Sequence, residues 1–127
     1  MSYGFIKEVD LSFSVAVLKT EEALKKQGFS ILTRIDVQSK FREKLNIDFP
    51  KYLILGACNA QLAYQAIKSE WNIGLLLPCN VIIYEKDKSV WVGIIKPAQA
   101  MSMIDNDELR RHARKVEDKL EQVFENI

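Results

Sequence analysis

The chain has 127 residues, 48% of them apolar and 28% charged, with 18 basic against 17 acidic side chains and a formal net charge of +1. Length and composition bound it to one globular domain, residues 1–127, large enough to bury its own core. The balanced charge lacks the basic surplus by which nucleic-acid binders neutralise phosphate, and no apolar run approaches the roughly 18–20 residues that cross a bilayer, so neither nucleic acid nor membrane is expected as a partner.

The opening residues Met1 to Asp10 carry no basic segment followed by an apolar one, so no secretion signal is read there. Cys58 and Cys79, the only cysteines, are too few for a disulfide scaffold in a chain this long. A reducing cytoplasm is the expected compartment, with both thiols free.

Residues 3–9 read as a first strand, with Tyr3, Phe5 and Val9 on one side and Ile6 on the other. Ser12 is a candidate N-cap for a helix running to about Gln27, with Phe13, Val17, Thr20 and Leu24 at helical spacing. Lys25 and Lys26 suit its negative end, and Gly28 suits the left-handed position that follows. Residues 29–35 alternate as a half-buried strand with Phe29, Ile31 and Ile35 inward. Asp36 can cap a short helix over residues 37–45, and Pro50 marks the loop that follows it.

Residues 52–57 are apolar at alternate positions on both sides, which predicts a central strand covered on both faces. Asn59 is a good N-cap for a helix over residues 60–69, whose Leu62, Ala63, Ala66 and Ile67 form a small-residue stripe. Residues 79–85 and 89–95 read as two strands joined by the charged turn Lys86-Asp87-Lys88, with Pro97 ending the unit and Trp91 in the core. Asp105 with Glu108 resembles a capping box before a last helix, on which Leu109, Ala113, Val116, Leu120, Val123 and Ile127 make one apolar face. The order is β-α-β-α-β-α-β-β-α, and the closing hairpin requires at least one antiparallel pair.

Two Cys-Asn pairs carry the chemistry. Cys58-Asn59 closes one apolar run; Cys79-Asn80 follows Gly74-Leu75-Leu76-Leu77-Pro78 and opens another. Strand ends of this kind are where layered α/β proteins place their sites. If neighbouring strands bring them together, the two thiols lie side by side, with the helix start at Asn59 lowering the pKa of Cys58. The plain alternative is that both thiols act as small apolar core residues. A closed zinc site needs four ligands, and only His112 could add to the cysteines. His112 reads as a half-exposed histidine on the border of the last helix, with no pattern that brings it to Cys58, which argues against a Cys-His hydrolase. Trp71, in a polar loop, is an interface candidate.

Several pieces resemble the domain-of-unknown-function 302 family of small bacterial and archaeal proteins. They are Gly28-Phe29, Ile35-Asp36, Leu55-Gly56-Ala57-Cys58-Asn59, Ala63, the run from Gly74 to Asn80, and Tyr84-Glu85. The chain departs from the family pattern at Ala60 and at Trp71, where prolines are usual. The resemblance implies an α+β fold: a two-layer sandwich of an antiparallel or mixed sheet with helices mainly on one face, similar to the TATA-binding-protein-like fold. It also implies a homodimer, and it supplies no activity or cofactor.

The leading expectation is a non-enzymatic domain that binds a small molecule or a metal through Cys58, Asn59, Pro78, Cys79 and Asn80. The alternatives are a thiol-dependent enzyme or redox protein using Cys58 or Cys79, and a purely structural module.

Overall fold

The computed structural model describes residues 2–127. Its strands are β1 (Gly4–Val9), β2 (Ser30–Asp36), β3 (Tyr52–Cys58), β4 (Cys79–Lys86) and β5 (Ser89–Ile95). Its helices are α1 (Phe13–Lys26), α2 (Val37–Leu45), α3 (Ala60–Ser69), α4 (Pro97–Ala100) and α5 (Asp107–Glu125). The strands form one sheet in the order β1-β5-β4-β3-β2, and every neighbouring pair is antiparallel. This is the α+β two-layer sandwich.

Alternation in the central strands decides which face is covered. Leu53, Leu55 and Ala57 of β3, Val81 and Ile83 of β4, and Val90, Val92 and Ile94 of β5 are all buried. They stand on one face because residues two apart share a side of the pleat. On them pack α1, through Ala16, Ala23 and Leu24, and the end of α5, through Leu120 and Val123. The small side chains of α1 let it approach closely, and the buried Thr20 hydroxyl donates to the Ala16 carbonyl at 2.7 Å, leaving no unpaired group there.

The caps follow the sequence, with one shift. Ser12, Asp36 and Asn59 each accept a first-turn amide of the helix they precede. Gly28 follows α1 at φ +83, the left-handed conformation that glycine adopts without a Cβ penalty. On α5 the cap is Asn106 rather than Asp105. Its Oδ1 accepts from the Leu109 amide at 3.0 Å while its Nδ2 donates to the Ser69 carbonyl at 2.8 Å. An amide can do both at once, whereas a carboxylate only accepts, so Asn106 ties α5 to the end of α3.

Four other expectations are corrected. The register of β2 against β3 shifts between Ile31 and Thr33. A one-residue slip moves the following side chains to the opposite face. Ile35 is therefore exposed beside Ile54, while Arg34 turns inward to meet Glu21 of α1 at 2.9 Å. Second, β3 is not covered on both faces: its outer positions Tyr52 and Ile54 are only half-buried, beside the exposed Ile35. Third, Trp91 stands outside the buried core, on the outer face, stacked against Tyr84 with ring centroids 6.5 Å apart. Fourth, Trp71–Leu76 forms a 3₁₀ helix that buries Ile73 and leaves Trp71 and Leu75 exposed.

Lys7 shares the inner face with Phe5 and Val9, where an amine would be costly without partners. Its Nζ donates to the carbonyl of Phe124 at 2.7 Å and to that of Ile127 at 3.3 Å, and lies 4.5 Å from the Phe124 ring centre. The positive charge thus meets the negative end of α5 and binds β1 to the helix layer. Lys7→Met is expected to lower stability by about 1–2 kcal/mol, read by urea denaturation. Lys19→Met, on the exposed side of α1, should leave the midpoint unchanged.

Candidate functional site

Two apolar clusters meet where β3 ends and β4 begins. One is the sheet core under α1 and α5; the other gathers Ala66 of α3, Ile73, Met101, and Leu109 and Ala113 of α5. At their seam the side chains are small: Ala57, Ala63, Ala66 and Ala113 cannot fill the space between the layers. A narrow cleft remains, its walls formed by Ala57, Cys58 and Asn59 on one strand end, Pro78 and Cys79 on the other, α3, α5 and Met101. The free interior is about 30 Å³. One water needs roughly 10–15 Å³ of occupied space, so the cleft has room for water-sized contents as it stands.

The strand register produces this juxtaposition. Ala57 pairs with Cys79, so Cys58 sits one position beyond Cys79 on the neighbouring strand. Gly56 is needed beside them: a Cβ there would collide with Thr33 Oγ1 and lie 2.7 Å from Pro78 Cγ. The Leu77–Pro78 bond is cis. Asn59 caps α3, accepting from the Leu62 amide at 3.2 Å, and packs against Gly28, where a Cβ would stand 3.1 Å from its Nδ2.

Four of the five residues expected at the site therefore come together: Cys58, Asn59, Pro78 and Cys79. Asn80 does not join them. It is exposed on the outer face of the sheet, in a shallow furrow with Ile6, Ile82 and Gly93.

His112 is the residue that sequence reasoning misplaced. It lines the same cleft, with its side chain only 14% exposed. Its Nδ1 is buried without a hydrogen-bond partner, the single such side-chain nitrogen or oxygen among the described residues. Its Nε2 lies 3.7 Å from Glu108 Oε1, too far for a hydrogen bond. The signal was present in the spacing. His112 follows Leu109 by three and precedes Val116 by four, so it falls on the edge of the apolar stripe and turns inward with it.

The cysteines are free thiols. Burial pushes the Cys79 thiol from the ordinary 9.0 up to about 11, with the neighbouring Cys58 adding to the rise, and burial also raises Cys58. The lowering expected at Cys58 from the helix start does not prevail. The Leu62 amide is already bonded to Asn59, and the surrounding wall is apolar. At neutral pH both sulfurs are protonated and act as weak donors with an apolar body. Among the described residues, no three His, Cys, Asp or Glu side chains are grouped to hold a metal ion.

These features define a two-layer α+β domain with an apolar cleft at the β3–β4 strand ends. The family model described as "Domain of unknown function DUF302" matches residues 5–127, and the chain belongs to this family. The match extends beyond the pieces from Gly28 to Glu85 that carry the resemblance, taking in β1 and α5. Among solved structures, the chain is similar to the uncharacterized conserved protein DUF302 from Bacillus stearothermophilus. The identity is 26%, with 99% of this chain and 98% of that one covered and a TM-score of 0.92. No curated protein matches the chain.

Two measurements test the site's chemistry. Since the folded Cys79 holds its proton up to about 11 against 9.0 when exposed, the folded state binds more protons in that window. Stability is then complete below pH 9 and falls as pH rises toward 11, by about 2–3 kcal/mol at most. Denaturant melts across that range should show the fall in wild type and a smaller one in Cys79→Ala; parallel curves would refute the burial effect. For the cap, Asn59→Ala should cost about 1 kcal/mol and Asn59→Asp less, because aspartate caps as well and its charge suits the helix start. Chemical denaturation of both variants reads this directly.

Proposed function

We propose that the chain is a non-enzymatic binding module: one domain over residues 1–127, a cytoplasmic homodimer, whose cleft at the β3–β4 strand ends takes a small apolar molecule bearing one polar atom. The observation that carries this reading is the unpartnered Nδ1 of His112 in a wall that, apart from Asn59 and the two thiols, is apolar. A buried polar atom without a partner costs about 1–3 kcal/mol, and a ligand or water that hydrogen-bonds to it removes that cost. Protonated Cys58 and Cys79 then supply polarizable contacts rather than nucleophiles.

The small interior requires the wall to yield before anything larger than water enters. Met101, unbranched and buried in the wall, is the side chain suited to move. Cytoplasmic residence accords with the two unpaired thiols. No helix of the described residues is long and apolar enough to cross a membrane.

Phenol, a ring with one hydroxyl, is a suitable probe. Titration followed by nuclear magnetic resonance should shift the His112 and Cys58 signals saturably in wild type. The shifts should vanish in Ala63→Phe, which fills the cleft, and persist in Asn80→Ala. Native mass spectrometry of freshly purified protein should show an adduct in wild type that Ala63→Phe lacks. Bare protein in both, with His112 unmoved by phenol, would refute the reading. Rapid alkylation of Cys58 at neutral pH would favour the thiol-enzyme alternative instead.

A further inference from the structure

We infer that the outer face of the sheet is the surface on which a second copy of this chain seats, face to face and about a two-fold axis. The inference rests on the self-association proposed above and names its surface. The strand register sets one residue from each strand in a row across the whole sheet: Ile6, Gly93, Ile82, Ile54 and Ile35. Ile6 and Ile35 are 51% and 44% exposed. Ile82 leans over Gly93, where a Cβ would lie 2.9 Å from its Cγ1, so the row has a furrow beside Ile6 rather than a flat crest.

The adjoining row is aromatic. Tyr52 stacks on Tyr84 with centroids 5.3 Å apart and planes 13° apart, and Tyr84 stacks on Trp91 at 9°. Charged residues are nearly absent: the outward positions of the strands carry only Glu8 and Lys86, one of each sign.

Size and chemistry together select the occupant. Five strands at ~4.8 Å spacing, each ~20 Å long, give a flat footprint of ~500 Å². Side-chain relief and the exposed Tyr3, which borders the same furrow, enlarge it toward the ~800 Å² that each partner contributes to a standard stable interface. An apolar face of that extent lies toward the upper end of what a monomer leaves in water, where such patches mark interaction sites. Phosphate-bearing partners find no basic field there. Bases find no free platform either, because the inner ring faces of the aromatic row are engaged with one another. A second copy offers the same uncharged, branched surface, and two sheets pack well at ~10 Å separation. The exposed pair Trp71 and Leu75 is a rival, but it is a short knob on one 3₁₀ helix, not a continuous face.

Sedimentation velocity at micromolar concentration decides the matter. Wild type should sediment at twice the 14.6 kDa chain mass. Ile6→Lys and Ile54→Lys should each weaken association by about 100-fold or more, while Trp71→Ser leaves it intact. Circular dichroism of each variant checks folding; Ile6 lies half-exposed on an edge strand, so its variant keeps the test valid if Ile54→Lys unfolds. A monomeric wild type overturns the self-association and this surface together. A dimer that survives Ile6→Lys, or that dissociates only with Trp71→Ser, overturns the surface alone. Binding of a labelled oligothymidine by a monomeric chain at physiological salt would also overturn it.

Discussion

The fold depends on a single asymmetry: the central strands bury one face completely and leave the other without a covering layer. Leu53, Leu55, Val81, Ile83, Val92 and Ile94 are branched, buried and arranged so that each touches the next across the strands. Burying each such side chain contributes about 1.5–3 kcal/mol, so any register slip would cost many of these contacts together. Everything else is positioned by that face. The helix layer must supply a matching apolar surface, which α1 does with Ala16, Ala23 and Leu24 and the end of α5 with Leu120 and Val123. Lys7, the one charged residue among the inner positions of β1, is tolerated because the last carbonyls of α5 come to meet it.

That geometry also locates the cleft. The sheet core and the cluster under α4 are separate, and α5 runs along both. Between the two surfaces it packs on, a gap is left. The gap falls where the strand ends carry Gly56-Ala57-Cys58 and the helices offer alanines. Larger residues there would close the seam. Gly56 has no room for a Cβ because Thr33 and Pro78 occupy it, so smallness at that position serves packing, while the alanines of α3 and α5 border open space.

Much of this was legible in the sequence because local chemistry is strong where it matters. Caps at Ser12, Asp36 and Asn59, the glycine after α1 and the stripe on α5 all act within a few residues, and their positions follow from side-chain chemistry alone. The closeness of Cys58 to Cys79 was readable for a similar reason: both mark strand ends, and consecutive antiparallel strands bring opposite ends together, here with Ala57 opposite Cys79. What escaped depends on distant partners. The bulge in β2 has no composition mark; Ile35 looks inward by alternation and faces outward because one residue is inserted before it. The outer face looked buried for the same reason, since Ile54, Ile82 and Trp91 are apolar whether or not a layer covers them.

His112 is the instructive case. A lone histidine between Arg111 and Ala113 on a helix rich in charge reads as solvated, and its Glu108 neighbour one turn away supports that reading. Two angular steps decide otherwise. Relative to Leu109 and Val116 the side chain stands on the rim of the buried stripe, and the small Ala66 and Ala113 leave it room to turn into the seam. Its Nδ1 then loses water without gaining a partner, while Nε2 remains toward Glu108. A leucine at 112 would spare the domain that desolvation and fill the gap, so packing alone favours an apolar residue at this position. The imidazole instead sets an unpartnered nitrogen in the cleft wall beside Cys58 and Asn59, the one such buried side-chain atom among the described residues.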